Sequence, residues 1–162
     1  MEKPTLVVNI SDFKISNNPN DHIFTYSLGS CLGVTVYDSA LKLGGMIHCL
    51  LPDSTIGKGK ADFNPAMYVD SGLTLMLQKL TELGSNKKNW QIKAAGCGEP
   101  ASALTEHFNI GNRNFIMLKK ILWTNGLVLN NKLVGGNRPK TLFLDIKNGA
   151  VTVKMGNDIV TL

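Results

Sequence analysis

Three residues in the first third of the chain have the types and spacing for nucleophilic chemistry: Thr25, Cys31 and His48. Cys31 sits in "GSCLG", ahead of a run that reads as a buried strand. A cysteine serving only as packing needs no glycine beside it. Gly29 and Gly33 remove side chains on both sides of the thiol, so backbone and substrate can approach closely. The turn carrying Gly29 and Ser30 can also leave backbone N–H groups convergent, the donors that an oxyanion requires. Ser27 and Ser30 flank this turn, where serine is ordinary turn chemistry. Either could also help shape the site.

His48 lies in the next apolar run, "GGMIHCLLPD". If strands 32–37 and 44–51 pair through the short connection at 38–43, Cys31 falls opposite His48 or one diagonal away. Such neighbours lie within roughly 5–8 Å on one face. An imidazole there can take the thiol proton and generate the nucleophilic thiolate. The imidazole in turn needs a partner to fix its tautomer, and the Thr25 hydroxyl is a candidate. Two alternatives compete with this couple. Cysteine and histidine in apolar strands often belong to the core, and a zinc site could use Cys31, His48, Cys49 and Cys97. Adjacent His48 and Cys49 point to opposite faces of a strand, and zinc-ligand spacings are absent, so no metal is expected.

The elements that must hold these residues follow from periodicity. "TLVVNI" (5–10) reads as a strand and "SNNPNDH" as a loop; "CLGVTVYD" and "GGMIHCLLPD" form a strand–turn–strand unit. The clearest helix is capped by Asn64, opens on Pro65 and ends at Gly84, with Val69, Leu73, Met76, Leu77, Leu80 and Leu83 on one face. "WQIKAAGC" reads as a central strand leading into the corner "GCGEP". A second helix starts after "NIG" and ends at Gly126, with Phe115, Leu118, Ile121 and Leu122 inward and Asn109 or Asn112 as its cap. "NIGNRN" could alternatively form a binding rim with Arg113. "LVLNNKLV", "KTLFLDI" and "AVTVKM" are strands, the last two joined by the turn "KNG". Strands interspersed with helices predict a layered α/β fold with mixed β-sheets, a single domain over residues 1–162.

Composition is ordinary for a globular chain, 43% hydrophobic and 18% charged, with a formal charge of +5. Lys and Arg are scattered, without an Arg-rich helix or aromatic-basic interleaving, so nucleic acid is not the expected partner. The start "MEKPTLVVNISDFKI" has neither a secretory signal nor a membrane span, and three cysteines without paired spacing suit reduced thiols in a cytoplasm. Membrane insertion is not expected.

The blocks "FTYSLGSCLGVTVYD" and "LGGMIHCLLPDS" resemble the signature of the bacterial chemoreceptor glutamine deamidases, the CheD family. The similarity continues through "KADFNPAMYVDSGLTLML", "NIGNRN" and "GGNRPKTLFLDIKNGAVTVK". The resemblance implies a fold related to the deamidase domain of cytotoxic necrotizing factor toxins, an α/β single-domain layered sandwich of mixed β-sheets flanked by helices. It places the nucleophile on Cys31, the general base on His48 and the supporting hydroxyl on Thr25. It implies hydrolysis of glutamine side chains on methyl-accepting chemotaxis receptors, with no cofactor, and a CheC-type phosphatase of the chemotaxis response regulator as partner. Leu133, Lys140 and "GCGEPASAL" depart from the family pattern, outside the Cys–His–Thr set. A different class of function, a signalling adaptor with vestigial catalysis, would rest on those departures. A shallow substrate groove is expected around Ser27 and Gly33. The loop "STIGKGKADFN" would form one wall, with Lys58 and Lys60 facing an acidic receptor surface.

Overall fold

The computed structural model describes residues 5–99 and 109–162. Among the described residues, ten strands form two five-stranded sheets. The first sheet contains β1 (Thr5–Val7), β3 (His22–Leu28), β8 (Lys140–Asp145), β9 (Val151–Met155) and β10 (Asp158–Thr161), in the order β1-β3-β8-β9-β10. The second contains β2 (Asp12–Ser16), β4 (Leu32–Asp38), β5 (Leu43–Cys49), β6 (Trp90–Gly96) and β7 (Asn131–Val134), in the order β2-β5-β4-β6-β7. Each sheet is mixed, since β1–β3 and β6–β7 are parallel and the other pairs antiparallel.

Helices α1 (Val69–Glu82) and α2 (Ile110–Thr124) cover the outer face of the second sheet. Leu73, Met76, Leu80, Leu118 and Leu122 pack there on Leu32, Val34, Val36, Ile47 and Ile92. The other face meets the first sheet, where Tyr37 and Met46 pack with Ile23, Leu28, Leu142, Leu144 and Val153. β4 and β5 are therefore buried on both faces. That position explains why both read as near-continuous apolar runs without alternation. Three layers result, helices on sheet on sheet, as the α/β sandwich reading expects.

Several local readings need correction. Thr5 opens a strand, but it ends at Val7; Ile10 is exposed and Ser11 turns the chain with φ 62°. Asn64 and Pro65 build a 3₁₀ turn over Pro65–Met67, and α1 starts only at Val69. Gly84, at φ 94°, follows the helix as expected, but Leu83 is 59% exposed. α2 begins at Ile110, and Asn109, in the left-handed region, makes no side-chain cap bond. The run 127–134 is a strand only from Asn131, because Asn130 Oδ1 is engaged by the Ile92 N–H. The β8–β9 hairpin turns at Gly149 with φ 76°, in agreement with "KNG". Within "GCGEP", Pro100 lies outside the described residues.

Candidate functional site

The β4–β5 register places Gly33 opposite His48. Cys31, two residues before Gly33, is thus diagonal to His48, one of the two arrangements the sequence allowed. Both side chains face the first sheet. Cys31 packs in the layer between the sheets, while Cys49 and Cys97 join the helix-side core. Cys31 is 8% exposed and His48 only 1%.

Thr25 reaches across from β3, fully buried, with its Oγ1 2.7 Å from His48 Nδ1 and 2.7 Å from the Val8 carbonyl oxygen. The hydroxyl has one hydrogen. Val8 O carries none and must receive it, so Oγ1 can only accept from the imidazole, and the proton of neutral His48 is held on Nδ1. Nε2 is left as a lone pair. It is buried and has no hydrogen-bond partner among the described residues, Cys31 included.

Burial sets the resting protonation. Desolvation pushes the His48 pKa down to about 4, so the ring is neutral at pH 7. Desolvation also raises the Cys31 thiol, partly opposed by a backbone N–H hydrogen bond. The pair at rest is a thiol and a neutral imidazole, not an ion pair. Burial drives the Cys97 thiol up to about 12 and Cys49 higher still, so neither is poised to form a thiolate.

A backbone lattice fixes the turn before Cys31. Cys97 N–H donates to Cys31 O at 2.8 Å, Gly98 N–H to Gly29 O at 2.7 Å, and Gly135 N–H to Gly96 O at 2.9 Å. Gly96, at φ 101°, is required here, because a Cβ would collide with the Cys31 carbonyl oxygen. Lys140 is buried and donates from Nζ to Gly135 O at 2.7 Å. Gly96, Cys97, Gly98 and Lys140 thus brace the turn that carries Cys31.

The remaining expected site residues separate. Gly29 has open space where a Cβ would stand, consistent with access to the thiol, but its N–H is committed to Ser27 O. Among the described residues, no backbone partner engages the N–H of Ser30 or Cys31. Ser30, not Gly29, thus carries the free N–H of the turn, while the Cys31 N–H is directed at its own thiol. Ser27 is exposed at φ 57° in the bulge between Thr25 and Leu28. With Tyr26, Lys140 and Lys154 it lines a shallow cleft of about 290 Å³. Gly33 does not line a groove. A Cβ there would lie 2.9 Å from both Leu28 Cδ1 and Leu142 Cδ2, so its role is to let the sheets close. Lys58 lines a cleft of about 420 Å³ with Asp70, Ser71, Gln78 and Ile121. Lys60 is exposed on the same loop.

The sequence reading did not find Val8, whose contribution is a carbonyl, or Asn114. Asn114 is a fully buried amide that donates to both Ser30 O and Leu50 O. Its signal was a polar residue on the inward stripe of α2, four residues before Leu118.

Residues 50–155 match the family model described as CheD chemotactic sensory transduction. The chain is 41% identical over 149 residues to a probable chemoreceptor glutamine deamidase CheD 1 of Syntrophus aciditrophicus, covering 92% of each chain. The chain belongs to the CheD family. Another CheD relative, the probable chemoreceptor glutamine deamidase of Clostridium botulinum, is 36% identical over 165 residues and the full length of both chains. Among solved structures, the CheD-family chain is similar to the Bacillus licheniformis hypothetical protein YfiH, with a TM-score of 0.50 and 14% identity over 76% of this chain. It spans about half (49%) of that protein's length, a likeness of fold alone. No helix among the described residues is long and apolar enough to cross a membrane.

Proposed function

We propose that this chain is a protein-glutamine deamidase that hydrolyses glutamine side chains of methyl-accepting chemotaxis receptors to glutamate and ammonia, with Cys31 as nucleophile. The named CheD relatives support the substrate class and reaction. The single observation supporting the chemistry is the Val8–Thr25–His48 relay, which leaves Nε2 of a neutral, buried imidazole without a proton. The apo diagonal between Cys31 and His48 tightens when substrate fills the space between them, as catalytic hydrogen bonds commonly do.

In the first half-reaction the Cys31 proton passes to His48 Nε2 and Sγ attacks the carboxamide carbon. The oxyanion is met by the N–H group of Ser30. Collapse breaks the C–N bond, with the Nε2 proton leaving on ammonia, and a thioester remains. Water then gives its proton to Nε2 and attacks the thioester. The thiolate departs and recovers the proton, releasing glutamate. Thr25 holds the ring throughout and transfers no proton. The same reading places the enzyme in the cytoplasm, beside receptor signalling domains and a CheC-type phosphatase as regulatory partner.

Ammonia release from a receptor cytoplasmic fragment tests the assignment. Cys31→Ala abolishes it, whereas Cys49→Ala retains most of it because that thiol faces the helices. Release by the Cys31→Ala protein at the wild-type rate would overturn the nucleophile.

A further inference from the structure

Asn114 lies on α2, outside the strands that carry the reacting groups, yet it is fully buried against them. Its Nδ2 donates to the Ser30 carbonyl at 3.0 Å and to the Leu50 carbonyl at 3.2 Å. Ser30 immediately precedes Cys31, and Leu50 stands two residues after His48. One amino group thus ties together the two chain ends from which nucleophile and base project. Both acceptors are carbonyls, so the orientation of the amide is forced: turned over, its oxygen would face two oxygens.

The cost of this arrangement is visible. Asn114 Oδ1 is buried with no partner among the described residues. An orphan acceptor in a packed interior needs a reason, since an apolar residue such as the neighbouring Leu118 would avoid it. The reason here is the pair of donors. The ladder ends before these points, because β4 begins at Leu32 and β5 stops at Cys49. Without the amide, no hydrogen bond among those described spans Ser30 and Leu50. The α2 N-terminus is itself seated on the same corner, since a Cβ on Gly111 would collide with Gly98 O. The helix therefore delivers Asn114 to one fixed place.

We infer that Asn114 is a positioning residue for the proposed reaction, setting the separation of Cys31 from His48 by bridging the carbonyls of Ser30 and Leu50. The inference rests on the Cys31 reading above. A displacement of the reacting groups by about 1 Å costs on the order of 10²-fold in rate. Loss of the bridge accordingly lowers kcat roughly 10–100-fold. KM stays nearly unchanged, because Asn114 is buried and touches no substrate.

The test compares the full-length wild type with Asn114→Ala, Asn114→Asp and Cys31→Ala in deamidation of a receptor cytoplasmic fragment. Folded fraction is measured in parallel by thermal melting. The expected result is a fall in kcat per folded molecule for Asn114→Ala, with KM within about twofold of wild type. Asn114→Asp has a further signature that a merely structural role would not give. As a neutral acid it can donate one hydrogen bond, but once ionised it repels both carbonyls. Its kcat, relative to wild type, therefore falls as pH rises, while that of Asn114→Ala stays flat. If both variants keep wild-type kcat while Cys31→Ala is inactive, the positioning role is wrong and the thiol reading stands. A loss that only tracks the folded fraction, or appears in KM alone, also overturns it. An active Cys31→Ala protein overturns the thiol reading and this inference together.

Discussion

Burying a neutral histidine makes the fold sensitive to acid in a way that one substitution isolates. Desolvation lowers the His48 pKa from its ordinary value near 6.5 to about 4. Between those values the unfolded chain binds a proton that the native chain refuses, so stability falls as pH falls. The contribution is complete above about pH 6.5 and lost progressively towards pH 4, in total about 3 kcal/mol. Urea unfolding of wild type and His48→Gln at about pH 7 and about pH 4.5 measures it. The wild type should lose about 2 kcal/mol more than the variant across that interval, because the titrations the two proteins share cancel in the difference. Parallel losses would mean that His48 protonates freely in the folded state, and the buried neutral base would have to be abandoned.

Two further substitutions probe how the site is held. Thr25→Ser keeps an oxygen for the Nδ1–H and should retain most activity. Thr25→Val orphans both Nδ1–H and Val8 O, at about 1–3 kcal/mol for each buried group, and should lose most of kcat; equal activities for the two would remove Thr25 from the relay. Gly33→Ala forces Leu28 and Leu142 apart and should lower stability by about 1–3 kcal/mol, read from the urea midpoint. A neutral result would show that the sheets have slack at this point.

The proximity of Cys31 and His48 was legible in the sequence because its signals are local. A cysteine between glycines and a histidine in the adjoining apolar run need only one antiparallel pairing to meet. The pairing itself was readable because β4 and β5 are central strands, apolar along their whole length. The edge and interrupted strands were harder. β2, "DFKIS", is a half-buried edge strand with little alternation, and β3, "HIFTYSL", contains a bulge that breaks the period at Tyr26–Ser27. Neither β2, β3 nor β10 was expected. The glycines divided by environment, which sequence does not specify: Gly29 borders open space, whereas Gly33 is enclosed by leucines. Lys58 lines a cleft with Asp70, Ser71 and Gln78 of α1, a neighbourhood that the loop's composition does not specify. Asn114 stayed hidden because its partners are backbone carbonyls distant in sequence.

Mass spectrometry reads the Cys31-dependent conversion of receptor glutamine to glutamate directly. A purified receptor cytoplasmic fragment incubated with the wild-type chain should gain about 1 Da at each modified glutamine, as an amide is replaced by a carboxylate. With Cys31→Ala it should gain nothing. A receptor fragment unchanged by the folded wild-type protein, or equally changed by the Cys31→Ala protein, would contradict the account.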